Sequence, residues 1–180
     1  MAHVLTSVRL LAVVPAAWAF SRGDRVSAWL LVALVAAAIV TDYFDGIVAR
    51  RTGAASARGM LFDHTTDFLF VTSGLAGASV AGLVPTLLPV LIVVAFTQYG
   101  LDSYFLHRQR QLRMSYLGRW NGILYFAPLV MITIAALRVP GLGELARVLV
   151  RPFAVLLMIS TVVSILDRAA APLRARPGAR

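Results

Sequence analysis

The 180-residue chain has no cysteine and no lysine, and only 14% of its residues are charged. A typical soluble domain has about 25% charged residues. The lack of cysteine excludes disulfides, thiolate nucleophiles and cysteine-ligated metals. Hydrophobic residues make up 59% of the chain, which excludes disorder and leaves too little polar surface for a soluble monomer. The composition therefore predicts one all-α, membrane-embedded domain over residues 1–180.

Six segments are apolar and long enough to cross a bilayer, which takes about 20 helical residues. They cover approximately residues 4–21, 26–49, 59–82, 84–106, 117–138 and 148–167. Glycine, proline or charged residues separate them, and a polar tail follows at 168–180. We predict a polytopic bundle of six transmembrane helices with a cytoplasm-facing polar cavity. The first segment is expected to be retained rather than cleaved as a signal peptide, because the rest of the chain is equally apolar.

All 17 basic residues are arginines, and they fall mostly between the apolar segments. With a cytoplasmic N-terminus, 12 of them lie on the inner side and 5 on the outer side. The positive-inside rule therefore predicts both termini in the cytoplasm, and we expect the inner membrane of a bacterium. In this setting the arginines are expected to contact anionic lipid headgroups rather than nucleic acid.

Four aspartates lie within 26 residues, at the predicted inner ends of the second and third helices. Asp42 and Asp45 share one helix face, and Asp63 and Asp67 share another. Two antiparallel neighbouring helices would bring these carboxylates together, where they would repel one another without cations. Oxygen-only ligands favour Mg²⁺ or Mn²⁺. Four carboxylates suit a two-ion site, so we predict that all four are metal ligands. The alternative is a structural ion-pair network with arginines, which is costly for buried carboxylates.

Small residues accompany these acids. Gly46, Ala49 and Gly59 leave room for a ligand to approach the helix backbone. Arg50 adds a planar cationic group suited to phosphate. Metals, arginine and open backbone together predict a nucleotide diphosphate site.

Residues 42–67 read Asp-x2-Asp-Gly-x2-Ala-Arg-x8-Gly-x3-Asp-x3-Asp. This pattern resembles the signature of the CDP-alcohol phosphotransferase family at all eight fixed positions. Thr6-Ser7-Val8-Arg9 and the downstream Pro15 are similar to the first helix of phosphatidylglycerophosphate synthase-like members. One position departs from such members, since Phe68 stands where lysine is common.

The resemblance implies a role for each matching residue. Asp42, Asp45, Asp63 and Asp67 would ligate the metals, and Asp67 would also act as general base. The remaining residues would contact the CDP group; they are Gly46, Ala49 and Gly59 around the cytidine, Arg50, and the weaker candidates Ser56 and Thr6.

The resemblance also implies a reaction, in which CDP-diacylglycerol and a small alcohol give a phospholipid and CMP. Glycerol 3-phosphate is the best single candidate for the acceptor. Inositol phosphate, serine or another alcohol stays open, as does a soluble CDP-alcohol donor with a diacylglycerol acceptor. Four arginines either bind a phosphorylated acceptor or only set topology, namely Arg108, Arg110, Arg113 and Arg119.

Two further alternatives concern the protein class and its assembly. Intramembrane carboxylates also mark ion and proton transporters, but transport sites usually lie near the bilayer midplane, and these aspartates lie at one end of their helices. Small residues recur every four positions along the third segment, at Ser73, Gly77 and Ala81. This spacing favours close helix packing, either within the chain or, less readily, in a homodimer.

Overall fold

The computed structural model describes residues 2–52, 57–105 and 116–174. The described residues form seven α-helices and one 3₁₀ turn at Gly23–Arg25, with no strand among them. The helices are α1 (Ala2–Ser21), α2 (Ala28–Thr52), α3 (Ala57–Val80), α4 (Leu87–Phe105), α5 (Tyr116–Leu124), α6 (Phe126–Ala136) and α7 (Leu142–Arg174). The all-α prediction is confirmed.

Apolar surface dominates the outside of the helices. Leu11 on α1 is 78% exposed and Val80 on α3 is 79% exposed, as expected for side chains that face lipid rather than water. Within the described residues, three stretches are long and apolar enough to span a membrane, at Ala28–Asp45, Leu117–Ala136 and Leu142–Ala170. Two shorter apolar helices cover Ser7–Ser21 and Leu87–Leu101. The fold is that of an integral membrane protein, while six spans stay a prediction.

The predicted fifth segment, 117–138, is divided into α5 and α6 at Tyr125. Pro128 explains the break, because its ring clashes with the carbonyl four residues earlier, on Leu124, and it has no N–H to donate. Leu124 is the last residue of α5. The segment still forms one apolar stretch long enough to span a membrane, Leu117–Ala136, with a local interruption at Tyr125 that the apolar pattern did not indicate.

The last helix is longer than predicted. α7 has 33 residues, from Leu142 to Arg174, whereas the apolar pattern covered only 148–167. It therefore includes part of the predicted break before it and the first residues of the predicted polar tail. Arginine and alanine are good helix formers, so Arg147 and the Ala169–Ala171 run extend the helix instead of ending it.

Close contact between α1 and α3 organises the bundle. A Cβ atom on Gly77 would lie 2.2 Å from the backbone oxygen of Ala17, so only glycine permits this approach. The Ser73 hydroxyl donates a hydrogen bond to the Val13 carbonyl at 3.1 Å. The small residues of α3 therefore pack within this chain, as the first of the two alternatives expected.

The position of α1 corrects one expectation about the site. α2 and α3 were predicted to be direct neighbours, but they contact each other at few points and α1 packs against both. The N-terminal half of α1 therefore lies beside the acidic faces of both helices.

Gly82, with φ +73°, ends α3 in a Schellman motif, with Leu83 N–H bonded to Ala78 C=O at 3.0 Å.

Candidate active site

The four aspartates converge as the spacing predicted. One carboxylate oxygen from each of Asp42, Asp63 and Asp67 lies within 4.8 Å of the others. Asp45, one turn beyond Asp42 on α2, is only 5% exposed and lies outside this group of three. The structure thus brings three of the four predicted ligands to distances suited to one shared cation.

Arg9 of α1 lies between these carboxylates. Its Nη1 atom donates to Asp63 Oδ1 at 3.0 Å and also to Asp67 Oδ1. Its Nη2 atom is 3.6 Å from Asp45 Oδ2 and 3.8 Å from Asp42 Oδ1. The polar interior predicted as a cavity is therefore occupied, at its centre, by a guanidinium group.

A threonine on α2 fixes the plane of that guanidinium. Arg9 Nε donates to Thr41 Oγ1 at 3.4 Å. The Thr41 hydroxyl in turn donates to the Ala37 carbonyl at 2.6 Å. Since Thr41 precedes Asp42 directly, the residue that orients Arg9 also belongs to the acidic turn of α2.

Exposure differs across the cluster. The Arg9 side chain is fully buried and that of Asp45 is 6% exposed, whereas the Asp42 side chain is 50% exposed. The side chains of Asp63 and Asp67 are 27% and 22% exposed. The site therefore opens on the side of Asp42, and a charged ligand can reach Asp42, Asp63 and Asp67 from there.

Comparison with known proteins decides the family. Residues 1–166 match the CDP-alcohol phosphatidyltransferase family. The chain belongs to this family. It is also 32% identical over 176 residues to a protein of Mycobacterium tuberculosis named probable phosphatidylglycerophosphate synthase, covering 94% of this chain and 81% of the relative.

Two other relatives match about half of the chain. A CDP-diacylglycerol--glycerol-3-phosphate 3-phosphatidyltransferase of Mycoplasma genitalium is 29% identical over 94 residues, which is 52% of this chain and 40% of the relative. A cardiolipin synthase (CMP-forming) of Streptomyces coelicolor is 30% identical over 95 residues, which is 51% of this chain and 44% of the relative. No solved structure matches this chain. The family consists of enzymes that use a CDP-alcohol and an alcohol acceptor, with divalent metal.

The residues expected to bind CDP belong to α1, α2 and α3, apart from one in the α2–α3 connection. Ser56 lies outside the described residues, and for the others the structure describes only the helix to which they belong. The others are Thr6, Gly46, Ala49, Arg50 and Gly59. Their contacts with nucleotide therefore stay predictions.

The predicted acceptor arginines are divided in the same way. Arg108, Arg110 and Arg113 lie outside the described residues, while Arg119 is an exposed residue of α5. Phe68, the departure from the synthase-like members, stacks on Phe96 of α4 with ring centroids 3.9 Å apart. The aromatic ring at this position thus packs between helices, in contrast to the neighbouring Asp67, which contacts Arg9.

From the sequence, Arg9 belonged to the first-helix resemblance and to the inner-side arginines, and it had no assigned role in the site. The available signal was a single arginine inside an apolar run. A charge buried in a membrane helix is costly unless it is paired. The same rule that selected the aspartates therefore also applied to Arg9, and the four carboxylates are its partners.

The donor set fits the divalent cation that the family uses. All four acidic groups supply hard oxygen ligands, which Mg²⁺ and Mn²⁺ prefer. The three close carboxylates are partly exposed, so a hydrated ion can reach them. A buried cationic group already lies within 4 Å of all four carboxylates, so the site as described accommodates positive charge.

Proposed function

We propose that this enzyme transfers a phosphatidyl group from CDP-diacylglycerol to glycerol 3-phosphate and releases CMP. The observation that carries the proposal is the convergence of Asp42, Asp63 and Asp67 within the family signature. The acceptor is inferred from the relatives named for phosphatidylglycerophosphate synthesis and for glycerol 3-phosphate. The single domain over residues 1–180 would contain the whole site.

Asp67 is proposed as the general base. It lies one turn after Asp63 on the same face of α3, so it can reach both a metal ligand position and a substrate beside it. Its carboxylate would take the proton from the acceptor hydroxyl as that oxygen attacks the phosphorus on the lipid side. The P–O bond to CMP breaks in the same in-line step, so no lipid is bound covalently to the enzyme.

Asp42, Asp45 and Asp63, together with Asp67, would hold two Mg²⁺ or Mn²⁺ ions. When bound, such ions neutralise the diphosphate and the charge that develops on the departing CMP. Asp42 is the most exposed of the four side chains, so it would be the first ligand that an entering ion meets. Asp45 is buried beside it and would contribute its negative charge from the inner side of the site.

The nucleotide would lie against the small residues of the signature. Gly46, Ala49 and Gly59 would admit the cytidine, and Arg50 would bind the phosphates of CDP. Ser56 and Thr6 are further candidates for nucleotide contacts. We infer this from the match to the family signature, in which these residue types occupy fixed positions.

The acceptor phosphate would be bound by arginines from the α4–α5 region. Arg119 is exposed at the start of α5, and Arg108, Arg110 and Arg113 precede it. The bias of arginines to one side favours a cytoplasmic active site with both termini inside, in the inner membrane of a bacterium. A homodimer stays a prediction, although Ser73 and Gly77 of the small-residue spacing already pack against α1.

Purified enzyme in detergent, supplied with CDP-diacylglycerol and Mg²⁺, tests the function directly. Glycerol 3-phosphate, inositol phosphate, serine and glycerol would be offered separately, and the lipid product identified by mass spectrometry alongside CMP. We expect phosphatidylglycerophosphate with glycerol 3-phosphate and little product otherwise. Product formation with another of these acceptors but not with glycerol 3-phosphate would leave the family assignment intact and overturn the proposed acceptor.

A further inference from the structure

The guanidinium of Arg9 shares its binding oxygens with the proposed metal ligands. Nη1 donates to the Oδ1 atoms of both Asp63 and Asp67. Metal–oxygen bonds are short, at about 2.1 Å for Mg²⁺. A cation held between these two oxygens on the side of Arg9 would therefore overlap the space that Nη1 occupies.

Charge makes Arg9 and the aspartates dependent on each other in the absence of metal. Four carboxylates in a poorly solvated site repel one another, and an arginine with a fully buried side chain is destabilising without anions around it. Arg9 lies within 4 Å of all four carboxylates, and its single positive charge offsets only part of the acidic charge of the cluster. That remaining charge still attracts divalent ions to the open side near Asp42.

We propose that Arg9 is an internal counter-cation, which holds the metal-free acidic cluster together and is displaced from Asp63 and Asp67 when divalent cations bind. This inference rests on the metal site of the proposed function. Metal loading is then an exchange of one cation for another. The apparent metal affinity includes the cost of moving a buried arginine, and it is weaker than four carboxylates alone would give.

The packing of α1 makes the exchange feasible. Arg9 lies eight residues before Ala17, about 12 Å along the helix, where Gly77 holds α1 tightly against α3. The Ser73 to Val13 hydrogen bond lies between these two points. α1 therefore keeps its position while the long Arg9 side chain changes rotamer, and the bound metal takes over the link between α2 and α3.

Mn²⁺ binding to the metal-free protein, measured by electron paramagnetic resonance of the free ion, tests the exchange without any turnover. Arg9→Met removes the competing charge and keeps an unbranched side chain. We expect Mn²⁺ to bind Arg9→Met at least about tenfold more tightly than wild type, and Arg9→Lys a few-fold more tightly, because lysine keeps the charge but cannot span four carboxylates.

Thermal unfolding provides the second measurement. In EDTA, Arg9→Met should unfold at a lower temperature than wild type, since the carboxylates lose their counter-cation. Its gain on adding Mn²⁺ should be larger than that of wild type, because stabilisation by a ligand increases with affinity. Arg22→Met is the matched control, since Arg22 directly follows the far end of α1, exposed and over the Trp18 ring, and should change neither measurement.

Mn²⁺ binding to Arg9→Met that equals or is weaker than wild-type binding would overturn the exchange and leave the proposed function intact. Should Arg9→Met not fold, Arg9→Lys decides the question by the same criterion. Wild-type protein that binds no Mn²⁺ at all would instead overturn the metal site itself. The two failures are therefore distinguishable.

Discussion

The two ends of the α1–α3 pair are held together by different interactions. At one end Arg9 meets Asp63 and Asp67, and charge holds the helices together. At the other end Gly77 allows the backbone of α1 to approach so closely that no side chain fits between. The acidic end, around Arg9, Asp63 and Asp67, carries charged groups that can bind ligands, whereas the glycine end, around Gly77, carries close packing. The family signature at residues 42–67 includes the aspartates and ends before Gly77.

The difference predicts that substitutions at the two ends fail in different ways. Neutralising an aspartate at the acidic end should reduce turnover while the protein stays folded. Changes at the glycine end should reduce stability, and activity only as far as folded protein is lost. Three substitutions test this division, beginning with the largest expected effect.

Asp67→Asn should lower CMP release by about 10²–10⁴-fold, the range for loss of a general base. Asparagine keeps the size and one ligating oxygen, so Mn²⁺ binding should persist. Steady-state CMP release and Mn²⁺ binding are measured on the same preparation. Glu144→Gln, which neutralises an exposed carboxylate in the first turn of α7, is the matched control and should keep full activity.

An Asp67→Asn enzyme with nearly wild-type turnover would remove the proton-transfer role from Asp67. Trapping a phosphatidyl group covalently on the protein would contradict the single-step mechanism. Loss of Mn²⁺ binding together with turnover would instead make Asp67 chiefly a ligand, and the base would have to be sought elsewhere.

Gly77→Ala should destabilise the protein by about 1–3 kcal/mol, the usual cost of overpacking. The added methyl group would meet backbone atoms of Ala17, which cannot rotate away. Thermal unfolding in detergent is the measurement. Gly100→Ala is a matched control in α4, where nothing in the described residues beyond the adjacent backbone of the same helix lies within 4 Å of the added methyl, and there alanine should be neutral or slightly stabilising.

Equal stability of the two glycine variants would show that α1 and α3 are not held by this contact. A Gly77→Ala protein with normal stability but lost turnover would contradict the division between the two ends, because the packing contact would then act on the chemistry.

Ser73→Ala should have the smallest effect, a loss of about 0.6 kcal/mol, typical of an interhelical hydrogen bond in a membrane protein. The Ser73 hydroxyl bonds to Val13 across the helix pair and to Phe70 within α3. Ser79→Ala isolates the interhelical part, since the Ser79 hydroxyl donates within its own helix, to the Ala76 carbonyl at 2.8 Å. No difference between the two variants would assign the stability of this region to packing alone.

Much of the fold followed from the sequence, because apolar length decides whether a segment can be a membrane helix. The acidic convergence also followed, since Asp42 and Asp45, like Asp63 and Asp67, have helical spacing. The break at Tyr125 was missed although Pro128 was visible in the sequence. The proline interrupts the helix at one residue only, so a search for long apolar segments does not detect the break.

The role of Arg9 could not be derived from local patterns. Which helix lies between α2 and α3 depends on where two backbones can approach, and that is decided at Gly77, far from the acidic residues in the chain. Spacing identifies the face on which a residue lies but not the helix that covers that face. The sequence therefore shows an arginine inside an apolar segment, but it does not show which residues pair with it.

The dependence of CMP release on divalent cation tests the central claim that the acidic end carries the chemistry. Purified enzyme with CDP-diacylglycerol and glycerol 3-phosphate would be treated with EDTA and then supplied with Mg²⁺ or Mn²⁺ in excess. We predict no measurable CMP release in EDTA and recovery of turnover with either ion. Substantial CMP release in EDTA would contradict the account.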